Sequence, residues 1–499
     1  MRTISEILAV GAADAPAILA PQLDPLTYAE LRSVTAELAG QLGSLGVSSS
    51  DRVAIVLPNG PAMALAFLAV ARCATVAPLN PEYREEEFRF YLKDLGVKAL
   101  ITFPDDAGAA HAAAPDGTLH LALEGTPSTL RLGHDGAFSE AAPPTSAGPD
   151  DLAMVLHTSG TTARPKIVPL TQRNLATSAG NIARSLVLTD ADRCLNPMPL
   201  FHIHGLMAGL LAPLAVGGSV ICTPGFEVFR FFDWMDELEP TWYTAVPTMH
   251  HLILARARRH AAVIARNPLR FLRSSSASLP PDVMTELEGV FGAPMIEAYG
   301  MTEASHQMAS NPLPPAERKA GSVGRGTIDV AIMNDAGELL PTGERGEVVI
   351  KGPSVVAAYE NNPEANAKAF THGWFRTGDQ GYVDAGGYLF LTGRLKEIIN
   401  RGGEKISPRE VDEVLLRHPE IDEAVAFAVP HDKLGEDIAA AVVLAEGATA
   451  REGDLRSFAA ERLADFKVPR TFVILEQIPK GPTGKVQRVG LAKQLGLVR

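Results

Sequence analysis

Val53-Ala54-Ile55-Val56-Leu57-Pro58-Asn59-Gly60 is the stretch on which the reading of the fold turns. A short, unbroken apolar run closed by Pro-Asn-Gly reads as a buried strand that ends in a turn. On its N-terminal side, residues 29–45 carry apolar side chains at helical spacing. On its C-terminal side, residues 62–74 are helical again, Val76-Ala77-Pro78-Leu79 is strand-like, residues 85–95 are helical and Ala99-Leu100-Ile101-Thr102 is strand-like. Strands alternating with helices of this length predict a mostly parallel sheet covered by helices, an α/β fold.

The same grammar returns further along, where Val220-Ile221-Cys222, residues 242–246, Phe271-Leu272-Arg273 and Met295-Ile296-Glu297 look like strand ends. Between the two sets, residues 104–150 are rich in Ala, Gly and Pro. They read as a weakly structured connection or, equally, as an ordinary surface excursion. From Gly321 the pattern changes to short alternating strands with Gly-rich turns, among them residues 330–333, 347–351 and 388–392, which predicts a distorted β-barrel or antiparallel subdomain. After Arg394, residues 410–418, 424–429, 439–444 and 455–466 spell a compact α+β unit. The expected organisation is a large N-terminal domain, residues 1–395, made of two α/β sheet subdomains and a distorted β-barrel. A small α+β domain, residues 396–499, follows, with a hinge close to Lys396.

At 499 residues the chain exceeds what one hydrophobic core usually supports, in keeping with more than one domain. A composition of 46% hydrophobic and 21% charged residues is that of a globular protein. The formal charge of -13 argues against nucleic acid or an anionic membrane surface as the main partner. Cys73, Cys194 and Cys222 are far apart with no CxxC pair, so neither a disulfide framework nor a zinc site is expected, and a reducing cytoplasm fits. The first residues carry an early Glu6 and no sustained apolar stretch, and Pro224 interrupts the most apolar region, so no membrane anchor is expected.

Chemistry enters at His157-Thr158-Ser159-Gly160-Thr161-Thr162-Ala163-Arg164-Pro165-Lys166, directly after the apolar residues 152–156. Small hydroxyl residues and glycine at a strand exit let backbone N–H groups, hydroxyls and a lysine surround phosphate oxygens. The spacing is not that of a Walker A loop. Taken alone, the segment is equally a Ser/Thr-rich polar turn.

Four further segments follow in order: Glu297-Ala298-Tyr299-Gly300-Met301-Thr302-Glu303, Trp374-Phe375-Arg376-Thr377-Gly378-Asp379, Gly393-Arg394-Leu395-Lys396-Glu397 and Pro479-Lys480-Gly481-Pro482-Thr483-Gly484-Lys485. With the Ser/Thr-rich loop they resemble the adenylate-forming superfamily of acyl-CoA synthetases, over nearly the whole chain. The resemblance implies an acid–CoA ligase that uses ATP, Mg²⁺ and coenzyme A and forms an acyl-adenylate before the thioester. It implies nucleotide contacts from Thr158, Ser159, Gly160, Thr161, Thr162, Lys166, Ser276, Ala277, Glu297, Ala298, Tyr299, Gly300, Met301 and Thr302. Asp379 would accept from the ribose hydroxyls, Arg394 would hold phosphate or ribose oxygens, and Glu303 with Thr161 would serve the metal. Lys485 would bridge the acyl carboxylate and the phosphate in the first step, and Thr302, Glu303 and Arg394 complete the catalytic set. The C-terminal domain would rotate about Lys396 between steps, and Arg401, Gly402 and Gly403 would line the pantetheine tunnel. A glycine turn before a strand is the plain alternative for the last segment, compatible with that role.

Pro199-Leu200-Phe201-His202-Ile203-His204-Gly205, Arg273-Ser274-Ser275-Ser276-Ala277-Ser278-Leu279 and Ala304-Ser305-His306-Gln307-Met308 resemble the oxalyl-CoA synthetase branch. Oxalate is small and doubly charged, so its second carboxylate needs donors in a short pocket, where a fatty acyl chain needs an apolar tunnel. His204, Ser276 and His306 are the candidates; His204 is alternatively a satisfied structural histidine, and Ser276 can face the adenine. Gly300 stands where this branch usually has Ala, which predicts a wider acyl pocket, and Ile167 replaces the glycine that commonly follows the loop lysine. Short-chain, medium-chain or aryl acids, or a carrier protein loaded by a free-standing adenylation enzyme, are the other readings. Monomer and homodimer are equally open.

Overall fold

The computed structural model describes residues 1–105, 108–134, 146–158, 165–480 and 486–498. It divides into two compact units, one built from Met1–Thr158, Pro165–Val330 and Ile350–Lys368, the other mainly from Ala331–Val349 and Ala369–Arg499.

The first unit holds two mainly parallel sheets. In the seven-stranded one the order is Arg131–Gly133, Leu119–Glu124, Ala99–Thr102, Arg52–Ile55, Thr75–Pro78, Leu152–Thr158 and Lys166–Thr171. The apolar run at 53–57 thus begins as the strand Arg52–Ile55, parallel to both neighbours, with Ala54 beside Ala77 and Leu100. Val53, Ala54 and Ile55 are fully buried. A central parallel strand has no solvent face, which is why the run shows no polar alternation. The helices Tyr28–Ser44, Pro61–Ala71 and Glu85–Leu95 fall where the spacing predicts them. The first starts at a capping box, in which Thr27 accepts from the Glu30 N–H and the Glu30 carboxylate accepts from the Thr27 N–H.

The described part of residues 104–150 corrects the expectation of a weakly structured connection. Gly108–Ala113 is a helix, and Leu119–Glu124 and Arg131–Gly133 extend the seven-stranded sheet at one edge. Leu121 and Leu123 point inward on Leu119–Glu124, a signal too short to stand out against the Ala/Gly/Pro background.

The nine-stranded sheet runs Arg325–Gly326, His306–Ser310, Met295–Met301, Phe271–Ser274, Trp242–Ala245, Arg193–Asn196, Ser219–Cys222, Pro16–Leu19 and Leu26–Thr27. Its middle is parallel, and at one end Met295–Met301 reverses into His306–Ser310. Phe231, Tyr243, Leu272, Leu287 and Met295 form the core on one of its faces.

In the second unit, Asp329–Met333, Gly346–Lys351, Trp374–Val383, Phe370–Thr371 and Leu389–Arg394 make a five-stranded sheet, as the short alternating pattern predicts. A further sheet, Glu404–Ile406, Ile399–Arg401, Gly435–Leu444, Ile421–His431 and Thr471–Leu475, packs through Ile406, Ile438 and Phe472 on Leu415 and Leu455 of the helices Pro408–Leu415 and Glu452–Ala460. This is the expected α+β unit. The compact unit begins earlier than residue 396; the 395/396 boundary concerns which part moves and is a separate proposal.

Candidate active site

Ligands of open α/β sheets bind beyond the carboxyl ends of the parallel strands. In the nine-stranded sheet, Thr244 lies beside Arg273, and Ser274 beside Glu297, near those ends. Phe271–Ser274 continues into Ser275, Ser276 and Ala277; Met295–Met301 continues into a single turn, Thr302–Ala304, before returning as His306–Ser310. His204 arrives from the short helix Ile203–Leu206.

These elements assemble the three residues expected to hold the acid. His204 Nδ1 is 3.0 Å from Ser276 Oγ, and its ring stacks on His306 with centroids 4.9 Å apart. Both histidines are buried, whereas Ser276 is exposed. Behind them lies Arg273, with no exposed surface. One of its terminal nitrogens donates to His204 Nε2 at 3.2 Å and to Thr244 Oγ1 at 3.2 Å. The other donates to His306 Nε2 at 3.1 Å and to Gln307 Oε1 at 3.0 Å. Burial pushes the guanidinium pKa down to about 9. Thr244 Oγ1 is also 2.7 Å from His204 Nε2.

His204 is therefore both things the sequence allowed, a hydrogen-bonded buried histidine and a member of the cluster. Arg273, Thr244 and Gln307 are absent from the sequence-derived set. The signal for Arg273 was present: a charge closing the apolar strand Phe271–Ser274, which is buried along its whole length.

The backbone here is held in costly conformations. Ser276, Ser305 and His306 have φ of 73°, 53° and 91°, in the left-handed region that favours glycine. A Cβ at Gly300 would lie 2.1 Å from the His306 carbonyl oxygen and 3.1 Å from His306 Nδ1, so the close approach of the hairpin's own backbone at its bulge requires a glycine here.

The nucleotide candidates gather nearby. Thr158 pairs with Lys166 across adjacent strands, and Lys166 Nζ sits 4.4 Å from the centre of the Tyr359 ring. The Tyr359 hydroxyl donates to Glu303 Oε1 at 2.7 Å, which puts the loop lysine and the metal candidate on one ring, an arrangement the sequence did not disclose. Glu303 is buried; among the described residues no cluster of three or more His, Cys, Asp or Glu could hold a metal ion. A lone anchored carboxylate suits Mg²⁺, which keeps waters and phosphate oxygens as its other ligands. Glu297 is buried and accepts from the Leu279 N–H at 3.2 Å, Ala298 accepts from Ser275 Oγ through its carbonyl, and Tyr299 is largely buried. Met301 and Thr302 are half-buried and Ala277 is exposed. Ser159, Gly160, Thr161, Thr162 and Lys485 lie outside the described residues.

In the second unit, Asp379 and Arg394 face each other across two antiparallel strands, with Arg394 Nε 3.0 Å from Asp379 Oδ1. Lys396 is exposed in the following turn. Arg401 pairs with Asp437 at 2.6 Å, and Gly402 and Gly403, with φ of 61° and 95°, form the two-residue turn between Arg401 and Glu404. Left-handed values at both positions are those of a type I′ hairpin turn, so the plain reading of these glycines holds.

Comparison with known proteins gives the family. The profile of the AMP-binding enzyme family matches residues 8–360, and that of the AMP-binding enzyme C-terminal domain matches residues 410–485. The chain is 47% identical to the oxalate–CoA ligase of Arabidopsis thaliana over 93% of its own length and 92% of the relative's. To the oxalate–CoA ligase of Saccharomyces cerevisiae it is 40% identical, over 96% and 94% of the two chains. The crystal structure of ATP-bound MatB from Rhodopseudomonas palustris superposes with a TM-score of 0.89 at 29% identity, covering 99% of each chain. On its sequence, its fold and the assembly of its strand-end residues, the chain belongs to the AMP-binding enzyme family, as an acyl-CoA synthetase of the adenylate-forming superfamily.

Proposed function

We propose that the chain joins oxalate to coenzyme A in two steps. An oxygen of one carboxylate attacks the α-phosphorus of ATP, the bond to pyrophosphate breaks, and oxalyl-adenylate forms. The thiol sulfur of CoA then attacks the activated carbonyl, giving up its proton to solvent, and AMP leaves with the bonding pair. The observation that carries this reading is the buried His204–His306 stack with Ser276 at its edge, a polar wall where an acyl tunnel would be apolar. The 47% identity to an oxalate–CoA ligase supports it.

Attack of one anion on another needs neutralisation and positioning more than a base. Lys166, Arg394 and Lys485 are the cations assigned to that work, with Thr302 on the α-phosphate, Tyr299 against the adenine and Asp379 on the ribose. Glu303 and Thr161 would hold Mg²⁺, which when bound supplies charge neutralisation on the phosphate oxygens. We assign the exchange between half-reactions to residues 396–499 turning about Lys396, with Arg401, Gly402 and Gly403 serving the CoA arm. A cytoplasmic setting is part of the same proposal.

Pyrophosphate release across a panel of acids with ATP and CoA tests the substrate. Turnover of oxalate above hexanoate, benzoate and longer acids is expected; failure with oxalate alongside turnover of hexanoate would overturn it. Replacing CoA by a pantetheinylated carrier protein separates the ligase from a carrier-loading enzyme.

A further inference from the structure

The nine-stranded sheet buries a full positive charge that no described carboxylate balances. Arg273 is 0% exposed, and its described partners are two imidazoles, a threonine hydroxyl and an amide oxygen, while its Nε has none. Neutral acceptors offset only part of the cost of removing a cation from water. The missing counter-charge is one that a ligand can bring.

The same contacts fix the state of the site. A guanidinium has donors and no acceptor. The imidazole nitrogens that face it, Nε2 of His204 and Nε2 of His306, must therefore present lone pairs. Each neutral ring then carries its hydrogen on Nδ1. In His204 that N–H donates to Ser276 Oγ at 3.0 Å, which turns the hydroxyl hydrogen of Ser276 outward as a donor. Protonating either ring at Nε2 would set N–H against N–H beside a fixed cation. Gln307 is oriented by the same arginine: its Oε1 accepts from Arg273 and its amide nitrogen donates to Ser185.

We propose that Arg273 is the positioning and charge-selecting residue of the acyl site, holding both histidines as neutral Nδ1–H donors and favouring an acid with a second carboxylate over a monoacid of equal size. This rests on the acyl-site reading above. Arg273 acts through the imidazoles and Ser276.

The test compares oxalate with oxamate, which has the same planar shape but an uncharged amide in place of the second carboxylate. KM and kcat are measured by pyrophosphate release for the native enzyme, Arg273→Met and Arg273→Lys, with KM for ATP alongside. Two opposite charges about 8 Å apart in a partly desolvated site correspond to about a 30-fold preference. Arg273→Met is expected to raise KM for oxalate by that order and KM for oxamate by much less. Arg273→Lys, which retains the charge but cannot serve two imidazoles at once, is expected to restore part of the oxalate preference.

Parallel loss for both acids in Arg273→Met, or a lysine variant no more selective than the methionine one, would overturn the assignment. If the methionine variant does not fold, the lysine variant decides: a retained preference for oxalate at raised KM supports the role, and equal KM values for the two acids refute it. A native enzyme inactive on oxalate would instead refute the functional reading, which keeps the two failures apart.

Discussion

Replacing Tyr359 with phenylalanine removes one oxygen and leaves the ring in place. That oxygen donates at 2.7 Å to a carboxylate oxygen of Glu303, and each residue is 6% exposed. Burial and the nearby Glu303 charge push the phenol pKa upward, so at neutral pH Tyr359 is a donor. A hydrogen bond to a charged group contributes about 1.5–3 kcal/mol, and with little water at hand to replace it the upper half of that range applies. The attraction between Lys166 and the ring, at 4.4 Å, survives in the variant. Tyr359→Phe is therefore expected to lose about 2.5 kcal/mol in urea unfolding. It should also let the Glu303 side chain turn, raising the Mg²⁺ concentration for half-maximal pyrophosphate release by about tenfold, the equivalent of 1.4 kcal/mol. Tyr359→Leu, which also loses the ring, should cost about 0.5–2 kcal/mol more. A Tyr359→Phe variant within about 0.5 kcal/mol of native, which is no more than a typical surface change, and with unchanged Mg²⁺ dependence would refute both the contact's strength and the metal role of Glu303.

Lys485→Ala is expected to abolish adenylate formation while transfer from supplied acyl-adenylate to CoA stays measurable; equal loss in both half-reactions would contradict the assigned role. His250 is fully buried, and desolvation lowers its pKa from 6.5 to about 3. The unfolded chain thus binds a proton below pH 6.5 that the folded chain refuses, so this contribution is complete above 6.5 and is lost on acidification, about 1.3 kcal/mol between pH 7 and pH 5.5. Urea unfolding at both pH values should show that component in the native protein and lack it in His250→Phe; identical pH dependence in the two would count against it. Gly403 and Gly289 form a contrast, since a Cβ at either meets nothing within 4 Å. Gly403→Ala, at φ of 95°, should cost about 1–2 kcal/mol, whereas Gly289→Ala, inside the helix Pro281–Phe291, should stabilise by about 0.5–1 kcal/mol. Thermal unfolding shifts of the same sign would refute the backbone argument.

Much of the architecture was legible because burial leaves a periodic mark on the chain itself. The run at 53–57, the helices that flank it and the change to short strands after Gly321 each follow from local periodicity, and the observed elements fall on them. The five ordered motifs were legible for a related reason: glycines, hydroxyls and charges at fixed spacing are constraints of backbone geometry. Leu119–Glu124 was missed because two inward leucines in an Ala- and Gly-rich region carry too little pattern.

What the sequence alone determined, then, is the family, the α/β and α+β organisation and the types of residue at the site. The tertiary structure decided which of them meet. Thr244, Arg273 and Gln307 acquire meaning only beside His204 and His306, brought from distant parts of the chain by the order of strands in one sheet. Whether position 300 has room for a Cβ, and whether a strand arginine is balanced or left as an uncompensated charge, depends on distances of a few ångströms. Periodicity is a property of the chain taken in order; charge balance and hydrogen-bond direction belong to the contact, and no linear pattern encodes them.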